Sequence, residues 1–114
     1  MKSLIEEREE SKMSTSKEYK EYVLEQIEPI GNILCRPMMG EYLLYYNGTL
    51  FGGIYDNRVL IKITSTNEKY GLSKELPYSG AKLMYSLDLL DDKNRVEEII
   101  INTCKGLASN KKKK

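Results

Sequence analysis

Residues 41–63 read EYLLYYNGTLFGGIYDNRVLIKI, and the alternation within them decides the fold. Tyr42, Leu44 and Tyr46 fall on one side of an extended chain and Leu43 and Tyr45 on the other, the period of two that a pleated strand requires. Asn47-Gly48 then supplies a favoured two-residue type I′ turn, whose central positions both need positive φ. The chain is expected to double back there. Thr49–Tyr55 is predicted as the return strand, Asp56-Asn57 as a second tight turn, and Arg58–Thr64 as a further strand with Val59, Ile61 and Ile63 on one face. Gly52-Gly53 inside a strand suggests a bulge or the close passage of a helix.

Upstream, Ile33 and Cys35 alternate with Leu34 and Arg36, and Gly40 interrupts the run before Tyr42, so the expected unit is an antiparallel meander of three or four strands. Thr15 and Glu18 fit a capping box, after which Tyr19, Tyr22, Val23 and Ile27, with Leu24 beside them, recur at helical spacing. Pro29 and Gly31 stop that helix. Beyond Thr64 the segment STNEKYGLSKELPYSG is polar and irregular, with one short helix ending at Gly71. Lys82–Leu87 is predicted as a later strand, with Leu83, Tyr85 and Leu87 alternating against Met84. Asp91 or Asp92 is the expected cap of a last helix carrying Val96, Ile99, Ile100, Thr103, Cys104 and Leu107 on its apolar face, with Gly106 near its end. The predicted class is α+β in two layers: an antiparallel sheet of three to four meander strands plus a later strand, with N- and C-terminal helices on one face.

Composition narrows the function. At 114 residues the chain is of single-domain length, and its 40% hydrophobic and 31% charged content is that of a soluble globular protein. No apolar run approaches the roughly 20 residues of a membrane span, and the acidic start MKSLIEEREESK lacks the apolar core of a signal peptide. A cytoplasmic location with no membrane association is expected. Residues 1–13 are expected to form a flexible extension, 14–108 the folded domain, and 109–114 a disordered lysine tail. The four lysines Lys111, Lys112, Lys113 and Lys114 more than account for the net charge of +1, which leaves the rest of the chain at about −3. A clustered basic face for duplex DNA is not evident, although the tail offers a weak, salt-sensitive contact for nucleic acid.

Histidine is absent, which removes His-dependent triads and histidine metal sites, and no phosphate-binding glycine motif or nucleophile elbow occurs. Asp91-Asp92 and Glu97-Glu98 are read as helix-start and helix-surface acids rather than a catalytic or metal-binding pair. No catalytic residue, metal or cofactor is expected. Cys35 and Cys104 lie 69 positions apart without a metal-ligand or redox spacing and are expected to be reduced and mostly buried. The nine tyrosines suit a sheet–helix interface better than a base-stacking platform, and Met38 and Met39 are expected to fill gaps in the core. Arg36, Arg58 and Lys62 are cations in or beside strands, and one that faces the sheet interior would need a carboxylate or ligand partner.

Taken together, RPMMGEYLLYYNGTLFGGIYDNRVLIKI and LPYSGAKLM resemble the N-terminal domain of the TfoX/Sxy family, regulators named for competence gene expression in bacteria. Arg36, Met38, Met39, Gly40 and Tyr42 match the first part of the pattern. Ile54, Asp56, Arg58 and Lys62 match the second, and Gly80, Ala81, Lys82 and Met84 the third. The likeness spans about Ser14 to Leu107, and Met13-Ser14 resembles the usual family start. It implies a small α+β domain with a non-enzymatic role in transcriptional regulation of competence through a protein partner such as a transcription activator, and this chain is expected to be a stand-alone, single-domain member. Arg36, Met39, Tyr42, Arg58, Lys62 and Lys82 are the expected partner-binding residues. A homodimer through a sheet edge and a nucleic-acid contact through the strand cations and lysine tail are the alternative modes of association.

Overall fold

The computed structural model describes residues 15–112 apart from Leu89, with side chains through Ala108. The expected N-terminal extension, Lys113 and Lys114 lie outside the described residues, as do the side chains of Lys111 and Lys112. The chain runs helix α1 (Lys17–Ile27), strands β1 (Ile33–Met38), β2 (Glu41–Tyr46), β3 (Thr49–Ile54) and β4 (Val59–Ile61), short strands β5 (Lys74–Glu75) and β6 (Met84–Ser86), and helix α2 (Lys93–Lys112). All pairings are antiparallel and give one sheet in the order β1-β2-β3-β4-β6-β5. This is the expected α+β arrangement.

Three two-residue turns build the meander. Asn47-Gly48 has φ of 51° and 80°, and Asp56-Asn57 has 52° and 57°, as type I′ geometry requires. The third, Met39-Gly40 at 52° and 85°, stands where the sequence shows only an interruption. Between β2 and β3 the register shifts after Leu44, so that Phe51 is the extra residue of a bulge. At Gly52 an added Cβ would lie 2.2 Å from the Leu60 carbonyl oxygen of β4, so the glycine pair admits a neighbouring strand rather than a helix.

The register assigns the faces. Cys35, Leu44, Gly52, Ile61 and Tyr85 align across the sheet on the side that meets the helices. Val23 and Ile27 of α1, and Val96, Ile99, Ile100 and Cys104 of α2, complete a core with Leu44, Phe51, Ile54, Val59, Ile61 and Leu87. Removing these side chains from water is the main stabilising term, at about 1.5–3 kcal/mol for each large aliphatic or aromatic group.

Local chemistry departs from the sequence expectations at several points. Ser16, not Thr15, caps α1, its side chain accepting the Tyr19 N–H. Thr15 is buried instead; its N–H reaches the Gly40 carbonyl at 3.0 Å, while Oγ1 donates to Glu41 Oε1 at 2.7 Å and accepts from the Asn57 N–H at 3.2 Å. Asp92 caps α2, accepting the Arg95 N–H. β4 ends at Ile61 rather than Thr64, because the chain turns at Thr64 where the buried Asn67 carboxamide takes the Thr64 N–H. Gly106 lies inside α2, which continues to Lys112 past the expected domain end at 108, and it leaves room for Thr64 and Thr66, whose Oγ1 atoms an added Cβ would approach to 2.8 and 2.4 Å. Met38 and Met39 are not core residues: Met39 is 94% exposed at the tip of the first hairpin, and Met38 is also exposed.

Candidate functional site

The face of the sheet turned away from the helices carries the candidate site. Across β1 to β4 it presents Arg36 beside Leu43, Tyr45 beside Leu50, and Gly53 beside Leu60. The strands make this face locally apolar, so part of it must be covered. The segment between β5 and β6 does so: Pro77 and Leu60 are buried, and the Tyr55 and Tyr78 rings meet at 6.2 Å between centroids. Gly53 is needed beneath them, since a Cβ there would come within 2.9 Å of the Tyr55 ring.

Arg58 fastens this cover. Its guanidinium donates to Glu75 Oε1 at 2.7 Å and to the carbonyls of Leu76 at 3.1 Å and Pro77 at 3.3 Å, while Nε donates to the Tyr55 carbonyl at 3.1 Å. Four acceptors in fork geometry are a task for arginine rather than lysine. A turn follows, in which the Ala81 N–H donates to the Tyr78 carbonyl at 3.1 Å and Gly80 takes φ of 89°.

Two concavities open on either side of this strap, sharing Tyr55, Pro77 and Tyr78 as a wall. The first, of about 780 Å³, is lined by Met38, Met39, Leu76, Arg58 and the acids Glu41 and Asp56. Glu41 is oriented by the Thr15 hydroxyl and by the Asp56 N–H at 3.1 Å. The second, of about 660 Å³, is lined by Lys62, Lys82, Ile63, Leu83 and Met84 and by Leu107 of α2, so it reaches past the outer face to the helix layer.

The six expected partner-binding residues therefore divide. Met39 and Arg58 share the first concavity, and Lys62 and Lys82 the second. Arg36 is exposed on the same face but lines neither. Tyr42 points to the helix side, packed against the core with Lys20 Nζ 5.5 Å from its ring centre. Sequence reading missed Tyr78 and Pro77, the wall common to both concavities; the Leu-Pro-Tyr-Ser-Gly run, with an extended residue before proline and glycine for the turn, was their signal.

Titration follows burial. Cys104 is pushed up to about 11 by desolvation, and burial also raises Cys35 and Tyr55. Both cysteines are free thiols, Cys104 buried and Cys35 half-buried. Among the described residues no group of three metal-ligating side chains comes together, and no helix is long and apolar enough to cross a membrane.

The fold and the site thus define a class of protein, a two-layer α+β domain with a strapped outer sheet face. The family model described as TfoX N-terminal domain matches residues 25–104, and the chain belongs to that family. It is also 30% identical over 105 residues to an uncharacterized 12.7 kDa protein in the trpE 5′ region of Spirochaeta aurantia, a match covering 90% of this chain and 91% of that protein.

Proposed function

We propose that the protein is a non-enzymatic regulatory domain of the cytoplasm that acts by binding a protein partner on its outer sheet face. Transcriptional control of competence is the setting, and a transcription activator the partner. The observation that carries this reading is Met39: a large apolar side chain 94% exposed, held at a hairpin tip in the left-handed region at φ 52°, beside an apolar groove. Backbone in that region costs an L residue about 1–2 kcal/mol, and asparagine or glycine would occupy the turn with less strain. Methionine, flexible and polarizable, suits a surface that adapts to a partner side chain. Family membership supports the regulatory setting.

The test is site-specific photo-crosslinking in cells. A benzoylphenylalanine at position 39 is expected to give a discrete protein adduct, identified by mass spectrometry as a transcription activator, while the same probe at exposed Glu25 of α1 gives none. Equal adducts at both positions, or none at 39, would count against the reading.

A further inference from the structure

The second concavity carries an inference independent of the partner-binding reading. Tyr55, Pro77, Tyr78, Ile63, Leu83 and Leu107 give it apolar walls, and two cations, Lys62 and Lys82, share its lining. Among the described residues the one ion pair is Arg58 with Glu75, and neither lysine has a carboxylate within 4.0 Å. Lys62 is half-buried and Lys82 exposed, so both are free to turn toward an anion seated in the concavity, and an anion between two cations is attracted by each.

Backbone hydrogen bonds also place Lys62. The Lys62 N–H donates to the Phe51 carbonyl at 2.8 Å, and its own carbonyl accepts from Asn67 Nδ2 at 2.8 Å, which ties that position to the sheet and, through Asn67, to α2. Lys82 follows the turn closed by Ala81 and Tyr78. The volume of about 660 Å³ falls in the range of small-molecule sites, which combine mostly apolar walls with a few convergent polar groups.

We propose that this concavity binds a small organic anion with an apolar body, its charged group between Lys62 and Lys82 and its body against Tyr55, Tyr78 and Leu83. Charge complementarity selects the anion, and the walls select against a bare inorganic one. The site lies across the strap from the Met39 groove, so a bound anion would press on Tyr78 from the side opposite the partner surface.

Fluorescence titration with anilinonaphthalene sulfonate, and with uncharged N-phenylnaphthylamine as its neutral counterpart, tests the proposal on the full-length protein. The sulfonate is expected to bind roughly tenfold more tightly than the neutral dye, an advantage that shrinks as NaCl is raised. The double variant Lys62→Gln/Lys82→Gln should lose that advantage while binding of the neutral dye is retained. Amide shifts of Lys62, Ala81 and Lys82 in the wild-type nitrogen–proton spectrum should mark the site. Equal affinity for the two dyes, an advantage insensitive to salt, or shifts centred on Met38 and Met39 would overturn it. Because the salt and shift measurements use the unaltered chain, the test stands even where the variant fails to fold.

Discussion

Asn67 Nδ2 lies 2.9 Å from Thr103 Oγ1, and both residues are fully buried, so a single carboxamide joins the loop after β4 to the middle of α2. The same nitrogen donates to the Lys62 carbonyl at 2.8 Å, and Oδ1 accepts the Thr64 N–H at 2.9 Å. Asn67→Ala leaves three interior groups without their partner, each worth about 1–3 kcal/mol when stranded, and a net loss of about 3 kcal/mol is expected from urea denaturation after partial relaxation. Asn67→Asp should be no better tolerated, since a carboxylate has no proton to give the Lys62 carbonyl and would bring a charge into a fully buried position.

Arg58 offers a second test of the strap. Arg58→Lys keeps the charge but cannot reach Glu75 and the carbonyls of Leu76, Pro77 and Tyr55 together. Because the Arg58–Glu75 pair is partly exposed, little of the effect should come from charge, and a stability loss of about 1–2 kcal/mol is expected. The sharper readout is hydrogen exchange. The Ala81 amide, which closes the turn at Tyr78, should exchange faster in the variant, while amides of β2 and β3 keep their protection.

The glycines rank themselves by what stands in their way. An added Cβ at Gly52 meets backbone at 2.2 Å, so Gly52→Ala is expected to be the worst of the three, at about 3 kcal/mol or more. At Gly53 the obstacles are the Tyr42 carbonyl at 2.5 Å and the Tyr55 ring, and Gly53→Ala should additionally loosen the strap. Gly106→Ala gains about 1 kcal/mol of helix propensity but displaces the Thr66 and Thr64 hydroxyls, so a smaller net loss is expected. Thermal or urea unfolding of the three variants checks the order.

At the first hairpin the expected sign is reversed. Met39→Asn should stabilise the isolated protein by about 0.5–1 kcal/mol, since asparagine tolerates the left-handed region better than methionine. The crosslinked partner should bind the same variant more weakly. Stability gained together with binding lost is the signature of strain kept for recognition; a variant that binds as well as wild type would separate the methionine from the function.

The thiols give a pH-dependent prediction. Burial favours the neutral form of Cys104, so the native state holds that proton more tightly than the unfolded chain does. The associated stability is whole below the ordinary value of 9.0 and is lost as pH rises through about 11. Over that interval the stability margin of wild type over Cys104→Ala should narrow. Near neutral pH, iodoacetamide should modify half-buried Cys35 well before buried Cys104, a sequence that mass spectrometry follows directly.

Local chemistry made much of this fold legible. Asn47-Gly48 and Asp56-Asn57 announce their turns because the requirement for positive φ sits in two adjacent residues, and the β2 alternation places Tyr42, Leu44 and Tyr46 on the helix side. Met39-Gly40 makes the same turn with a residue that gives no such signal. Thr15 and Ser16 are both competent caps, and the choice between them depends on Glu41 and Asn57, distant in sequence. Asn67 reads as one more polar loop residue until Thr103, 36 positions later, is set beside it. The outer face was least legible: Lys62 and Lys82 are brought to one concavity by a strap whose path depends on Arg58 reaching carbonyls 18 and 19 residues on.

Thr15 gives the chain a timetable. It is the first described residue to leave the ribosome, yet its partners Gly40, Glu41 and Asn57 belong to two hairpin tips that are synthesised later, the last of them 42 positions on. At about 5–20 residues per second, α1 waits seconds for the turns that receive its leading end. Thr15 is thus a late-closing latch, and a nascent chain halted before Asn57 lacks one of the two tips on which that latch shuts.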